Sequence, residues 1–276
     1  MAVEKYKPTT PARRDMNAED TSSLTRSRPS KNLTRAHKSR SGRSNHGSIT
    51  MRRRGGGAKR RYRPVDFDLA PGTDAVVEAI EYDPNRTSHI ALIRHADGSQ
   101  AYVLAGNRMS VGDRIQAGED APVAQGNRMP LGQIPLGSNV YNVEVTQGKG
   151  GQLARGAGAR ARVTSRGEDS VYVQLPSGEV RLIHRGCYAT LGTVGNEQHQ
   201  NVKVGNAGRN RRKGRRPSVR GKAMNPADHP MGGGEGLTRP GRLPRTPWGK
   251  PAIGKKTRHR QRGNDAIVRR RTKKRK

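Results

Sequence analysis

The apolar residues of this chain are confined to its middle, and this limits where a hydrophobic core can form. Residues 65–204 contain 32 of the 42 Val, Leu, Ile and Phe residues. The two ends, residues 1–64 and 205–276, contain only ten between them. Because burial of apolar surface must offset the entropy lost on ordering, only the middle is predicted to fold alone. We expect the ends to become ordered against a partner.

Charge is divided in the same way. The 276-residue chain has 55 Lys and Arg against 22 Asp and Glu, a formal net charge of +33. Residues 1–64 carry +14 and residues 205–276 carry +21, whereas residues 65–204 carry −2. An excess of positive charge this large and this localised indicates a polyanionic partner, and nucleic acid fits best.

Several classes of protein are excluded by the remaining composition. Cys187 is the only cysteine, so no intramolecular disulfide can form and a reducing compartment is predicted. No apolar run approaches the roughly 18 residues of a membrane-spanning helix, so no membrane partner is predicted. Glu4, Asp15, Glu19 and Asp20 break the pattern of a transit peptide. A cytoplasmic location is therefore predicted.

Alternating segments in the middle of the chain predict β-strands. The predicted strands span residues 75–82, 88–94, 100–104, 139–145, 160–166, 170–175 and 179–183. Short strands with frequent turns, such as Asp97-Gly98, are typical of small barrels. Pro122 and Pro130 lie in a break between two groups of strands. A mainly β fold is predicted, with one barrel over residues 65–129 and a second over residues 130–204.

Clusters of arginine and lysine in both ends are predicted to contact phosphates. A solvated charge run is the ordinary alternative, but these ends contain too little apolar material to be the surface of a domain. Guanidinium groups bind phosphates bidentately or stack on bases, and the glycines at 55–57 allow close backbone approach. The candidate cations are Arg52, Arg53, Arg54, Lys59, Arg60, Arg61, Arg209, Arg211, Arg212, Lys213, Arg215, Arg216, Arg239, Arg242, Arg245, Lys250, Lys255 and Lys256.

The most distinctive motif occupies residues 217–236. Its sequence is Pro-Ser-Val-Arg-Gly-Lys-Ala-Met-Asn-Pro-Ala-Asp-His-Pro-Met-Gly-Gly-Gly-Glu-Gly. This segment resembles the hallmark of the bacterial-type second protein of the large ribosomal subunit. Residues 45–50 and 246–250 extend the resemblance, which covers the whole chain; Lys222 departs from it where a small or apolar residue is expected. Further candidate RNA-binding residues in or near the motif are Arg220, Asn225, His229 and Trp248.

The resemblance implies an oligonucleotide-binding (OB) barrel followed by an SH3-like barrel, between basic extensions at residues 1–64 and 205–276. It implies a structural constituent of the large ribosomal subunit that is a primary binder of its rRNA. It also implies a position near the peptidyl-transferase region, with support for subunit association, tRNA binding and peptide-bond formation. Small-subunit rRNA and neighbouring ribosomal proteins are further implied partners. No cofactor is predicted, apart from magnesium ions that accompany RNA.

His229 is the candidate for direct chemistry. Histidine titrates near neutral pH, and the resemblance makes this residue a candidate for assistance in peptidyl transfer. The alternative is a structural histidine that binds an RNA phosphate or ribose. A general base also needs a reacting proton within hydrogen-bond reach, which the sequence does not provide. The chain is therefore predicted not to be an enzyme.

Three further sequence features have more than one interpretation: the His184 and Cys187 pair, Trp248, and the basic ends as a DNA-binding surface. His184 and Cys187 have metal-ligand spacing but too few companions for a zinc site, so a half-buried barrel thiol is predicted. Trp248 either stacks on a base or packs against prolines of its own segment. A DNA-compacting architectural protein would need wedge residues and a duplex-shaped face, which two neutral barrels between unlike ends fit poorly.

One tetrapeptide occurs twice. Gly106-Asn-Arg-Met109 recurs as Gly126-Asn-Arg-Met129. Two copies do not define a repeat architecture, so either the two loops have similar roles or the match is chance.

Overall fold

The structure is a computed structural model that describes residues 3–22, 24–25, 28–234, 243–255 and 265–271. The chain is mainly β in these residues, as predicted. Its strands are β1 (Val3–Lys5), β2 (Asn17–Glu19), β3 (Arg35–Ala36), β4 (Arg61–Tyr62), β5 (Thr73–Glu81), β6 (Ile90–His95), β7 (Gln100–Leu104), β8 (Arg114–Ala117), β9 (Arg128–Pro130), β10 (Asn139–Tyr141), β11 (Ala161–Arg166), β12 (Ser170–Gln174), β13 (Val180–His184), β14 (Tyr188–Leu191) and β15 (Ile267–Arg269). The helices are α1 (Pro11–Arg14), α2 (Ala207–Arg212) and the 3-10 helices Glu197–Asn201 and Gly221–Ala223. None of the described helices is long and apolar enough to cross a membrane.

The chain divides into two compact units. The barrel unit comprises residues 1–38, 59–207 and 265–276, and the arm unit comprises residues 39–58 and 208–264. Both basic ends are therefore split between the two units. The boundaries of the four segments predicted from the sequence, 1–64, 65–129, 130–204 and 205–276, stay predictions.

Strands of both predicted barrels are connected in the barrel unit. They follow the order β15-β13-β12-β11-β10-β14-β9-β8-β5-β6-β7. Every neighbouring pair in this order is antiparallel except β8 and β9, where Ala117 lies opposite Arg128 in a parallel bridge. This bridge joins the strands of the first barrel to those of the second.

Two main hydrophobic clusters fill the interior of the barrel unit. One is built from side chains between Leu69 and Ala117, and the other from side chains between Met129 and Leu191. The separate cores agree with the prediction of two barrels, since each group of strands buries its own apolar face.

Several strands begin and end close to their predicted bounds, but one is much shorter. β7 has its predicted bounds because Gly98, at φ +82°, forms the turn that fixes its register with β6. The strand predicted over 139–145 ends at Tyr141. Asn142 adopts a left-handed φ of +50°, and its N–H donates to the Ala154 carbonyl at 3.2 Å. The alternating apolar pattern continues past this break without remaining a strand of the sheet.

The described part of residues 1–38 is more ordered than the predicted extended arm. β1 and β2 form a hairpin, and Asn17 of β2 exchanges backbone and side-chain hydrogen bonds with Lys203. Leu24 and Leu33 pack against the clusters of the first barrel. These contacts were not predicted from the sequence, because the two leucines and the backbone polar groups find partners far away in the chain.

The other end of the chain also returns to the barrel unit. β15 pairs with β13, with Arg269 opposite Val180 and Ile267 opposite Arg181. The Leu182 N–H donates to the Ala266 carbonyl at 2.8 Å. Residues 265–271 therefore add a strand to the second barrel, although the segment before them belongs to the arm unit.

Candidate nucleic-acid interface

The arm unit joins segments of the two basic ends along their backbones. Residues 53–58 run antiparallel to residues 212–216, with a bridge between Arg54 and Arg215. The backbone hydrogen bonds are Gly55 N–H to Gly214 O (3.1 Å), Ala58 N–H to Arg212 O (2.9 Å) and Arg216 N–H to Arg53 O (3.0 Å). These bonds satisfy backbone groups that two isolated coreless segments would leave to water.

Gly57 explains part of the glycine run. A Cβ on this residue would lie 3.0 Å from the Arg212 carbonyl oxygen and 3.0 Å from the Gly214 nitrogen. Its φ of +98° is also in the region that favours glycine. The backbone at Gly57 therefore packs closely against residues 212–214, and the approach of phosphates to these glycines stays a prediction.

The two paired segments of the arm unit, residues 53–58 and 212–216, lie among exposed cations. Eight candidate side chains from the two arms are exposed around the pairing: Arg52, Arg53, Arg54, Arg211, Arg212, Lys213, Arg215 and Arg216. None of the eight forms an ion pair with a described residue; the ion pairs within the described ranges all join residues between 19 and 199. Residues 39–58 and 208–264 together contain 22 Lys and Arg against two Asp and Glu. Mutual repulsion of these charges favours a bound polyanion.

An open groove of about 530 Å³ lies within this cluster. Arg52, Arg53, Arg54 and Arg216 line it, together with backbone at Gly55. Guanidinium groups around a concave surface, with a glycine backbone between them, are suited to phosphate oxygens.

The described residues 217–234 of the distinctive motif form a loop, called here the hallmark loop, and His229 lies at its centre. Its side chain is buried, with 7% exposure, and its Nδ1 accepts a hydrogen bond from the Met231 N–H at 3.0 Å. A Cβ on Gly221 would lie 2.5 Å from that same nitrogen, so the imidazole packs directly on the glycine backbone. With Nδ1 engaged as an acceptor, a neutral ring carries its proton on Nε2. This geometry gives His229 a role in holding the loop together.

The loop around His229 is closed by short backbone contacts. The Asn225 carbonyl accepts hydrogen bonds from the N–H groups of Asp228 (3.0 Å) and His229 (3.2 Å). A Cβ on Gly232 would lie 2.5 Å from this same carbonyl. The side chains of Arg220 and Asn225 remain exposed on the outside. Gly221 and Gly232 are therefore required by the packing of the loop, and Arg220 and Asn225 are presented outward.

Trp248 lies at the tip of a small hairpin. Arg245 and Pro251 form an antiparallel bridge, and the Thr246 N–H donates to the Lys250 carbonyl at 2.8 Å. The Trp248 side chain is 64% exposed, so the protein covers little of the ring. Between stacking on a base and packing within its own segment, this exposure favours contact with a partner.

The other predicted cations are distributed differently. Lys59, Arg60 and Arg61 belong to the barrel unit, where the Arg60 Nη1 donates to the Pro84 carbonyl at 2.8 Å. Arg61 donates to the Thr34 hydroxyl at 3.3 Å. These two arginines therefore also hold residues 60–61 against other parts of the barrel unit. Arg209 is half-buried in α2, whereas Arg245, Lys250 and Lys255 are exposed. Arg239, Arg242 and Lys256 lie outside the described residues.

A cationic cluster on the barrel unit was missed by sequence analysis. The guanidinium carbons of Arg155 and Arg86 lie 4.4 and 5.5 Å from the centre of the Phe67 ring. Arg155 is exposed, and Arg86 is held by Asp83 at 2.7 Å. No local pattern connects residues so far apart in the chain, and only the fold brings them around the single phenylalanine.

Cys187 belongs to the core. Its thiol is fully buried in the second cluster, and burial raises its pKa to about 11. The predicted half-buried position is therefore wrong, because Cys187 directly precedes β14 and faces inward. The Nδ1 of nearby His184 accepts a hydrogen bond from the Gly186 N–H. Within the described ranges, no three His, Cys, Asp or Glu side chains are grouped to hold a metal ion.

Two protein-family models match the chain. The model described as Ribosomal Proteins L2, RNA binding N-terminal domain, matches residues 30–117. The model described as Ribosomal Proteins L2, C-terminal domain, matches residues 124–249. Together they cover more than three quarters of the sequence, including most of both barrels, residues 217–236 and Trp248. The chain belongs to the ribosomal protein L2 family, and it is a structural, rRNA-binding constituent of the ribosome rather than an enzyme.

Proposed function

We propose that this protein is a primary binder of large-subunit rRNA and that the arm unit supplies most of its affinity. The observation that carries the proposal is the group of eight exposed cations around residues 52–54 and 211–216, which have no counter-charge among the described residues. A protein with six to ten phosphate contacts loses about 10³–10⁵ in affinity between 50 and 200 mM salt, and we expect a loss of this size here.

The hallmark loop and the Trp248 hairpin add contacts that are less dependent on charge. Arg220 and Asn225 are presented on the outside of the loop. Trp248 offers an uncovered aromatic face for an unstacked base, with Arg245 and Lys250 beside it for the flanking phosphates. Arg86 and Arg155 around Phe67 provide a cationic contact on the barrel unit.

We further propose that the protein lies near the peptidyl-transferase region and contacts small-subunit rRNA. There the protein supports subunit association, tRNA binding and peptide-bond formation without entering the chemistry. Resemblance of residues 217–236 to the family hallmark supports this position, and the buried, hydrogen-bonded His229 supports the structural role. Neighbouring ribosomal proteins contact the nearly neutral barrels. Magnesium ions at the interface come with the RNA, and the particle is cytoplasmic.

Equilibrium binding of the full chain to a large-subunit rRNA transcript, over a series of salt concentrations, tests the proposal. The variant R211Q/R212Q/R215Q/R216Q is expected to reduce the salt slope by about 3, because each phosphate contact contributes about 0.7–0.9. The matched variant R211K/R212K/R215K/R216K keeps the charges and is expected to keep the slope. An unchanged slope in the glutamine variant contradicts the proposal.

Duplex DNA of equal length separates this function from DNA compaction. Tighter binding to the rRNA transcript is expected, together with protection of both basic ends from protease by rRNA alone. Equal affinity and equal protection by duplex DNA favour the architectural alternative. The position in the particle is tested by ultraviolet crosslinking from the Trp248 hairpin and the hallmark loop, which is expected to map to peptidyl-transferase-region RNA.

A further inference from the structure

An open polar groove of about 780 Å³ lies on the second barrel, and the arms contribute none of its lining residues. Its lining includes Arg160, Arg162, Asn139, Gln174 and Gln200. We propose that this groove is a separate RNA-binding site, in which the two arginines bind adjacent phosphates and the three amides bind ribose hydroxyls or base edges. The inference rests on the proposed binding of rRNA, but it assigns that binding to a part of the chain whose overall charge is slightly negative.

Strand geometry places both arginines on one face. Ala161 and Val163 are buried in the second core, so the residues that alternate with them, Arg160 and Arg162, point outward. Arg160 directly precedes β11, and residues two apart in an extended chain are separated by about 6.6 Å, so the two arginines occupy neighbouring positions on the same side of the chain, and both line the groove. Arg160 and Arg162 therefore give one face of a nearly neutral barrel a local positive charge that suits consecutive phosphates of a nucleic-acid strand.

Register places the amides beside Arg162. Asn139 on β10 and Gln174 on β12 are its direct cross-strand partners, one on each side. Cross-strand partners share a face of the sheet and have Cβ atoms about 4.5–5.5 Å apart. Asn139, Arg162 and Gln174 therefore form a row across three strands, and Gln200 lines the groove from the 3-10 helix Glu197–Asn201.

The Arg162 side chain is held in position without being neutralised. Its Nε donates to the Gly137 carbonyl at 3.2 Å, which orients the guanidinium plane. Its two terminal nitrogens have no hydrogen-bond partner among the residues that the structure describes, and the Arg160 guanidinium likewise has none. A guanidinium fixed at Nε with both terminal nitrogens available is arranged for bidentate binding of a phosphate.

The side-chain amides of Asn139, Gln174 and Gln200 favour RNA as the polyanion that this groove binds. Each carries donors and an acceptor, and in the described part of the chain none of the three side-chain amides makes a hydrogen bond. An RNA strand places a 2′-hydroxyl and a base edge next to each phosphate, which matches cations and amides in alternation. Glu197 is the one carboxylate in the lining, and its Oε1 already accepts hydrogen bonds from Asn107 (3.1 Å) and Thr193 (3.4 Å).

Salt-dependent binding of the full chain to the rRNA transcript tests the groove. R160Q/R162Q is expected to lower the salt slope by about 1.4, because each phosphate contact of a single strand contributes about 0.7. Over a fourfold rise in salt, its affinity then falls about sevenfold less than that of the natural chain. R114Q removes an exposed strand arginine of the first barrel and is expected to leave the slope unchanged. R162K keeps the charge and is expected to keep most of the slope.

The outcomes separate this inference from the proposed function. If R160Q/R162Q leaves the slope unchanged while the four arm substitutions lower it, the groove does not bind RNA and the arms still do. If neither set changes the slope, the proposed function fails as well. If R162K lowers the salt slope as much as the single substitution R162Q does, although the charge is kept, Arg162 acts by holding Gly137, and the inference is overturned.

Directed cleavage locates RNA in the groove. An iron chelate attached to Gln200→Cys labels that position alone, because the natural thiol of Cys187 is fully buried. Cleavage of the transcript at one locus is expected, with its loss in the R160Q/R162Q background. Absence of cleavage above that of the untethered chelate, or cleavage that the double substitution does not alter, overturns the inference.

Discussion

Replacing Gly221 with alanine tests the packing of the hallmark loop directly. The added methyl group would lie 2.5 Å from Nδ1 of the buried His229 ring, far inside van der Waals contact. The backbone of Gly221 does not have a positive φ, so alanine is strained there by the ring alone. Such overpacking costs about 1–3 kcal/mol. Loss of the Met231 hydrogen bond to the displaced ring adds about 0.5–1.5 kcal/mol, so the loop is expected to lose about 1.5–4.5 kcal/mol of local stability.

Hydrogen exchange of the full chain measures this change where it occurs. The amides of Met231, Gly232 and Gly233 are bonded within the loop, so their exchange reports its opening. A loss of about 1.5–4.5 kcal/mol is expected to accelerate their exchange by about 10- to 2,000-fold. Amides in the barrel cores are expected to exchange as before, because the barrels form a separate unit.

Removing the ring provides the control. In a His229→Ala background the methyl group introduced by Gly221→Ala meets no imidazole, so the second substitution is expected to add little to the exchange rates. A large coupling between the two positions is therefore the signature of the contact. Equal effects of G221A in both backgrounds, or exchange as slow as in the natural chain, refute the packing argument.

Four further outcomes are expected. Gly57→Ala places a methyl group 3.0 Å from the backbone of the other arm and is expected to cost about 1–3 kcal/mol, seen as faster exchange of the Ala58 amide; unchanged exchange contradicts the close approach. Trp248→Ala is expected to weaken rRNA binding by about 1–3 kcal/mol whereas Trp248→Phe keeps most of it, and equal losses argue against stacking. His229→Ala is expected to leave the single-turnover rate of peptide-bond formation unchanged in assembled ribosomes; a slower chemical step in intact particles contradicts the structural role. Because burial raises the pKa of Cys187 from 9.0 to about 11, the thiol favours the folded state below pH 9, and this contribution is lost as pH rises to about 11. Thermal unfolding of Cys187→Ala is expected to show a smaller decline over that range, and an identical decline counts against the buried thiol.

Local patterns were sufficient to predict many of the barrel strands. β7 followed from an alternating segment after an Asp-Gly turn, because both its register and its bounds are set by neighbours in sequence. β9 and β14 could not be predicted in this way. β9 contains Arg128 and Pro130, and its formation depends on pairing with β14 about 60 residues later. A strand of three residues carries too little pattern to be recognised alone.

The repeated tetrapeptide shows the same limit for side chains. Arg108 is exposed at a left-handed φ of +61°, whereas Arg128 is buried against Asp68 and Glu144. The second copy leads into β9, whose pairing carries the arginine inside, and the first copy does not. Identical local sequence therefore gave opposite environments, since burial was decided by contacts with residues far away in the chain.

Composition predicts the positive charge of the candidate interface, but it does not predict which segments pair to form it. Charge segregation predicts that the ends bind phosphates, because the field of a large net charge does not depend on detailed structure, and this role stays a prediction. The pairing of residues 53–58 with residues 212–216 and the row formed by Asn139, Arg162 and Gln174 were not predictable. Both depend on register between segments that no local signal connects.

The return of β15 to the second barrel changes what the basic segments are. The chain leaves the barrel unit after residue 38 and after residue 207, and each time it comes back, at residues 59 and 265. The basic segments 39–58 and 208–264 are therefore loops that the barrel unit holds at both ends. A loop with fixed ends samples fewer conformations than a tail of the same length, so less entropy is lost when RNA orders it.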